Sequence, residues 1–169
     1  MEFVAINGYW FLFSLTGVVV LYLLLEILRH NASLKKIPIR IHVNGTRGKS
    51  SVARLIASGL RGGDIKTCAK TTGTMARFIF PDGSEEPVYR YARTNIIEQV
   101  GVIRRSAKLG AQALVIECMA LQPLLQSLCE LRLVRSTHGV LCNAREDHLD
   151  VMGPLESDVA LALAGTMTV

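Results

Sequence analysis

Residues 9–25 read YWFLFSLTGVVVLYLLL without a single charge, and Ile27 and Leu28 carry the run past Glu26 to about twenty residues. At about 1.5 Å per residue, a helix of that length crosses the ~30 Å hydrocarbon layer of a bilayer. Tyr9 and Trp10 stand where an aromatic belt holds one helix end at the headgroups, and Glu26 is near enough to the other end to reach water. A cleaved signal peptide is the first alternative. It wants a basic stretch before the run and a small-residue cleavage site after it, whereas here Glu-Ile-Leu-Arg-His follows. A buried core helix is the second, and few of those are apolar on every face over this length.

Composition sharpens that division. The chain has 169 residues, half of them hydrophobic, with a formal net charge of +5, which excludes a disordered chain. All 19 basic residues lie at Arg29 or later, and six of the ten aromatics lie between Phe3 and Tyr22. From residue 29 onward, 19 bases face 12 acids, an excess of seven. Arg29, Lys35, Lys36 and Arg40 follow the apolar run, and no basic residue precedes it. The positive-inside rule therefore predicts a single-pass protein of the cell membrane, with residues 1–8 outside, a span over 9–28, a basic connector over 29–37 and a cytoplasmic domain over 38–169. Cys68, Cys118, Cys129 and Cys142 have no paired spacing, and cytoplasmic placement keeps them reduced.

Beyond Pro38, Ile39, Ile41 and Val43 alternate with Arg40 and His42, which predicts a strand ending at Asn44. A glycine loop and a helix over 49–61 follow, stopped by Gly62-Gly63. Further elements are a strand over 66–70, a hairpin with Phe78 and Phe80 on one arm and Tyr89 and Tyr91 on the other, a helix over 95–109, a buried strand over 113–117, a helix over 123–131 and a strand over 139–143. Strands alternating with helices predict an α/β fold, a parallel sheet with helices on both faces.

Between the first strand and its helix stands Asn44-Gly45-Thr46-Arg47-Gly48-Lys49-Ser50-Ser51. A phosphate-binding loop needs that context. Glycines let backbone N–H groups turn around phosphate oxygens, the helix N-terminus adds partial positive charge, a lysine reaches the terminal phosphates, and a hydroxyl such as that of Ser50 reaches Mg²⁺. The common eight-residue form of that loop has a further glycine where this chain has Val43. Glu117 ends a buried strand, where ligands gather in open α/β sheets; it is a candidate to hold Mg²⁺ or orient an attacking group, and otherwise a helix cap or an arginine partner. His148, among Asp147 and Asp150, is a metal ligand held by carboxylates or a solvated loop histidine. Thr71, Thr72 and Thr74 face either a terminal phosphate and metal or their own turn. Arg47, Arg77 and Arg93 have the guanidinium geometry that suits an anionic substrate.

Together these stretches resemble the Mur ligase family of ATP-dependent amide-forming enzymes. The family's loop, Gly-Thr-x-Gly-Lys-[Ser/Thr]-[Ser/Thr], is matched by residues 45–51, and its Asn-x-x-x-Asp-His-Leu-Asp stretch by residues 143–150. Within the family the likeness is greatest to the membrane-anchored ligases of poly-γ-glutamate capsule synthesis. It rests on Asn-Gly-x-Arg-Gly-Lys-Ser at 44–50, Lys-Thr-Thr-Gly-Thr-x-Ala-Arg at 70–77, Asn-Ile-x-Glu-Gln at 95–99, Glu-Cys-Met-Ala at 117–120 and Glu-Asp-His-x-Asp-Val-Met-Gly-Pro at 146–154. The resemblance implies ATP and Mg²⁺ as cofactors, with Asn44, Gly45, Thr46, Arg47, Gly48, Lys49, Ser50, Ser51 and Thr72 around the nucleotide. Ser50, Glu117 and His148 are then the metal residues, and Lys49, Glu117 and His148 the catalytic ones. The implied reaction passes a phosphoryl group from ATP to a substrate carboxylate; the amine of glutamate then attacks the acyl phosphate. Family members carry a longer central domain, with a lysine that becomes carbamylated, and a separate C-terminal domain. The expectation for these 169 residues is the nucleotide-binding portion alone, inactive without the remainder.

Glutamate or polyglutamate as substrate, lipid around the N-terminal helix, and other membrane subunits of a capsule synthase are the expected partners. Lipid also accounts for the basic cluster at 29–40, at ~1 kcal/mol per residue near an anionic surface. Nucleic acid is not expected, because the charges are scattered and the four downstream aromatics belong to a hairpin. The competing function is a membrane-tethered P-loop NTPase that drives transport or assembly without forming an amide bond.

Overall fold

The computed structural model describes residues 2–73, 75–89 and 95–167, with side chains of the first helix described from Tyr9 onward. The chain divides into two units, Met1–Ala32 and Ser33–Val169. The first is a helix, α1 (Glu2–Lys35), whose bounds run past the unit's edge. Over residues 9–28 its large apolar side chains are all exposed, and it is long and apolar enough to cross a membrane. The hydroxyl of Ser14 donates to the Trp10 carbonyl at 2.8 Å, the internal satisfaction a polar group needs in hydrocarbon. The helix continues through Lys35, so most of the basic connector expected over 29–37 is helical.

The second unit is a six-stranded sheet with flanking helices. In chain order it contains β1 (Ile39–Asn44), α2 (Lys49–Gly62), β2 (Thr67–Lys70), β3 (Arg77–Ile79), β4 (Glu85–Pro87), α3 (Glu98–Lys108), β5 (Ala113–Glu117), α4 (Pro123–Leu128), β6 (His138–Leu141), α5 (Leu149–Met152) and α6 (Glu156–Ala164). The strand order is β4-β3-β2-β5-β1-β6. Strands β2, β5, β1 and β6 are parallel, and the β3–β4 hairpin adds an antiparallel edge, so the expected parallel sheet is mixed. Register brings Val43 opposite Glu117 and Lys70 opposite Ile116, which gathers the carboxyl ends of β1, β2 and β5.

Side-chain alternation along β5 divides the core. Val115 joins Val43, Ala69 and the α2 alanines Ala53 and Ala57 on one face. Leu114 and Ile116 join Cys68, Val102 and Ile103 on the other. A strand covered on both faces must be apolar throughout, and all of β5 is buried up to its terminal glutamate. Helix α2 stops where Gly62-Gly63 predicts, and Gly63 donates its N–H to the Gly59 and Leu60 carbonyls.

The hairpin turns as expected, with Phe80 N–H bonded to the Ser84 carbonyl and Gly83 at φ +87°. Its second arm, however, is the charged Glu85–Pro87 rather than the tyrosines; Tyr89 lies past it and Tyr91 falls outside the described residues. Glu85 and Glu86 point to opposite faces, Glu85 pairing with Arg54 of α2 and Glu86 with Arg105 of α3.

The helix expected over 123–131 is α4 followed by a π-helical segment, Cys129–Val134. Its buried side mixes Cys129 and Val134 with polar residues. Gln126 and Glu130, one turn apart, are buried, whereas Leu124, Leu128 and Leu131 are 69%, 38% and 62% exposed. On β1 the matching residues are Asn44 and His42, two apart and so on one face. Asn44 donates to Gln126 Oε1 at 2.7 Å, and His42 Nδ1 meets Glu130 Oε2 at 2.7 Å. Arg40, counted with the lipid-facing cluster, instead donates to the carbonyls of Ile37, Leu34 and Arg135 at 2.6, 3.3 and 2.9 Å. All four cysteines are free.

Candidate functional site

The loop between β1 and α2 needs its glycines. Gly45 sits at φ +141°, and a Cβ there would come within 3.0 Å of Cys142 Cβ and 3.1 Å of the Asn143 carbonyl. Gly48, at φ +83°, is the N-cap of α2, with no side-chain cap and no acidic residue in the first turn. The turn's N–H groups and helix dipole are thus open to an anion. Lys49 folds back over this mouth, its Nζ 2.5 Å from the Gly45 carbonyl and 3.3 Å from that of Thr46.

Asn143, which opens the loop after β6, splints the other side. Its Oδ1 accepts from the Thr46 hydroxyl at 2.6 Å and from Arg47 N–H at 3.1 Å, and its Nδ2 donates to the Arg47 carbonyl at 2.9 Å. Arg47 also pairs with Asp147 at 3.3 Å. The sequence marks Asn143 only as a motif position at the end of the strand expected over 139–143; β6 ends two residues earlier, at Leu141.

Glu117 ties the arrangement together. Only 3% exposed, its Oε2 accepts from the Ser50 hydroxyl and from the Thr72 N–H, both at 2.7 Å. The partners are thus a hydroxyl and an amide, where a helix cap or an arginine had been the alternatives. Thr71 is engaged in turn bonds with Arg77: its N–H donates to the Arg77 carbonyl and its hydroxyl accepts from the Arg77 N–H. Thr74 and Arg93 lie outside the described residues.

A cavity of about 180 Å³ opens here. Of the residues expected around a nucleotide and metal, Asn44, Gly45, Thr46, Lys49, Thr72, Glu117 and His148 line it, while Arg47, Gly48, Ser50 and Ser51 do not. Asn44 reaches it from a side chain held inside the fold, by Gln126 and by Thr166 Oγ1 at 3.0 Å, with Oδ1 accepting from Gly45 N–H. Ser51 is exposed on the first turn of α2. His148 is in the left-handed region at φ +49°, its side chain 46% exposed and its Nε2 3.9 Å from Asp147 Oδ1. Glu117 and His148 therefore share a cavity, and no described hydrogen bond or ion pair joins them.

Two buried ionic pairs were not legible in the sequence. Lys70, fully buried, places its Nζ 2.7 Å from Glu98 Oε1. His42 pairs with Glu130, whose other oxygen accepts from the N–H and hydroxyl of Ser136 at 2.7 and 2.9 Å. Burial opposes charge on His42, but Cys118, Cys129 and Glu130 outweigh it and hold the imidazole pKa well above its ordinary 6.5. Burial likewise pushes the Glu130 carboxyl up, and His42 and Ser136 pull it below its ordinary 4.5.

The donor set suits a magnesium nucleotide. Glu117 forms no ion pair among the described residues, so its buried carboxylate has neutral donors and no cationic side chain bonded to it. A hard dication supplies that missing charge, and Mg²⁺ is commonly held by one or two carboxylates, a hydroxyl, waters and phosphate oxygens. Among the described residues no three His, Cys, Asp or Glu side chains form a metal cage of their own.

Comparison with known proteins bears on the fold. The Mur ligase middle domain matches residues 43–162. PGA synthase CapB of Bacillus subtilis (strain 168) is 41% identical over 160 residues, which cover 94% of this chain and 41% of that protein. Capsule biosynthesis protein CapB of Bacillus anthracis is 43% identical over 155 residues, covering 90% of this chain and 33% of the relative. The chain thus spans 41% and 33% of the length of these two relatives. No solved structure matches it.

Proposed function

The chain belongs to the Mur ligase family through the middle domain, and from that premise we propose that it carries the nucleotide-binding portion of an ATP-dependent acid–amino-acid ligase of poly-γ-glutamate synthesis, anchored to the cell membrane by α1. One observation carries the reading. Ser50 and Thr72 converge on one oxygen of a buried glutamate beside a glycine loop that opens a helix N-terminus.

The N–H groups at the α2 N-terminus and Lys49 would bind and orient the phosphates. Lys49 would exchange its two backbone carbonyl partners for phosphate oxygens, and Ser50 and Glu117 would hold Mg²⁺. The bound magnesium nucleotide supplies the transferable phosphoryl group and neutralises charge as it moves to a substrate carboxylate. Asn143 keeps the loop from opening when phosphate charge draws its amides inward. His148, which is partly exposed in the cavity lining, would add a further metal ligand. The amine of glutamate then displaces phosphate from the activated carboxyl group. In the membrane, the basic residues after the span place the domain on the cytoplasmic side, next to other subunits of a capsule synthase.

The test uses the whole chain in detergent micelles. Mg²⁺-dependent ATP binding is expected of this portion by itself, and ADP release that requires glutamate, with a hydroxamate trapped by hydroxylamine, is expected once the remaining ligase domains are supplied. ATP hydrolysis indifferent to glutamate, with no hydroxamate, would replace the ligase with a tethered NTPase. Loss of the imidazole in His148→Ala should weaken the metal and substrate coupling and leave nucleotide binding largely intact; equal turnover before and after the change removes its metal role.

A further inference from the structure

Next to Glu117, and outside the cavity lining, the first turn of α3 grips two strand ends at once. Glu98 takes the ammonium of Lys70, the last residue of β2, at 2.7 Å. Gln99, fully buried, donates its Nε2 to the main-chain carbonyl of Glu117 at 3.4 Å, and its Oε1 is a buried acceptor with no hydrogen-bond donor among the described residues. Lys70 Nζ also lies 3.7 Å from the sulfur of Met119, which lines the cavity. A lysine with no exposed surface is costly to desolvate, and it persists only when paired in good geometry. Its position matters because Thr72, two residues on, donates its N–H to Glu117 Oε2.

We propose that Lys70, Glu98 and Gln99 are positioning residues that set the direction of the Glu117 carboxylate. Adjacent residues of one helical turn hold the β2 end through Lys70 and the β5 end through the Glu117 carbonyl. The spacing of those ends fixes where Thr72 N–H meets the carboxylate and hence where its second oxygen points. Mg²⁺ demands short, near-octahedral bonds, so it responds to a small rotation of that oxygen, whereas phosphates held by loop amides and Lys49 do not. The inference rests on the reading of this cavity as a magnesium-nucleotide site.

The experiment measures binding of a fluorescent ATP analogue to the whole chain in micelles, across a Mg²⁺ titration and in EDTA, with thermal melting alongside. Glu98→Gln and Gln99→Met are the main variants, and Lys70→Met, which keeps most of the stem volume, is the third. Each is expected to raise the Mg²⁺ concentration for half-maximal binding by about tenfold, the usual consequence of loosening a partner of a metal ligand, with affinity in EDTA within about twofold of the parent. Lower melting with an unchanged Mg²⁺ midpoint would make the cluster a fold stabiliser only and overturn the proposal. Equal losses with Mg²⁺ and with EDTA would also overturn it, by moving the effect to the loop. A parent chain that binds nucleotide without any Mg²⁺ dependence sinks the underlying site and this inference together. Variants that match a Mg²⁺-dependent parent sink the inference alone.

Discussion

Glu117 and Glu130 are both 3% exposed, yet they serve opposite ends. Glu130 has a histidine on one oxygen and two donors from Ser136 on the other, so both oxygens and its charge are matched inside the protein. Glu117 has two neutral donors on one oxygen and borders a cavity. Burial alone therefore does not mark a functional carboxylate. What separates the two is the counter-charge, which His42 brings to Glu130 and which no described ion pair brings to Glu117.

The contrast can be broken most forcefully from the Glu130 side. Glu130→Ala leaves His42 buried without its partner, which should cost about 3–5 kcal/mol and lower the melting temperature by roughly 10 °C, with nucleotide affinity below the transition unchanged. A melting temperature within a degree of the parent would show that Glu130 is not holding the fold. Glu117→Gln should do the reverse, weakening Mg²⁺-dependent nucleotide binding about 10–100-fold while leaving melting nearly as it was. Undiminished Mg²⁺ dependence in the Glu117→Gln variant would remove the distinction.

A weaker handle is pH. Glu130 is held below its ordinary 4.5, so its contribution is present above that value and fades as pH falls through the lowered one. His42 is held well above 6.5, so its contribution is whole below 6.5 and fades as pH rises through the raised value. Between 4.5 and 6.5 the pair is fully charged and most stabilising. Urea midpoints of the parent should fall on both sides of that window relative to a His42→Phe, Glu130→Met double variant; parallel pH profiles would contradict the pairing. Smallest of all should be the surface pairs. Arg54→Ala, which frees Glu85 on the sheet edge, should shift stability by about 1 kcal/mol or less, fading further in salt. A larger loss would mean that the β4 edge depends on its flanking helices.

Legibility followed the distance along the chain. The loop from Asn44 to Ser51 is contiguous, its glycines are demanded by local backbone geometry, and both flanking elements show their period in a dozen residues. Glu117 was legible because a buried strand that ends on a carboxylate is a local pattern. His42 and Glu130 are 88 residues apart, Lys70 and Glu98 lie on different elements, and Asn143 reaches the loop across 97 residues, so each needed the topology before it meant anything. Arg40 misled for the same reason: a basic residue after an apolar run resembles a lipid contact until the carbonyls around it are known. In the α4 region the helix was legible, but its contacts through Gln126 and Glu130 needed the position of β1.

The sequence by itself determined an apolar helix of membrane-crossing length, an alternating α/β order and a glycine loop between strand and helix, because hydrophobic period and glycine geometry act over neighbouring residues. Tertiary structure decided which buried carboxylate is matched and which is left open, and which turn of α3 stands next to Glu117. Counter-charge is a property of space. Parallel strands that bring Val43, Glu117 and the end of β2 to one edge draw together residues that the chain keeps far apart.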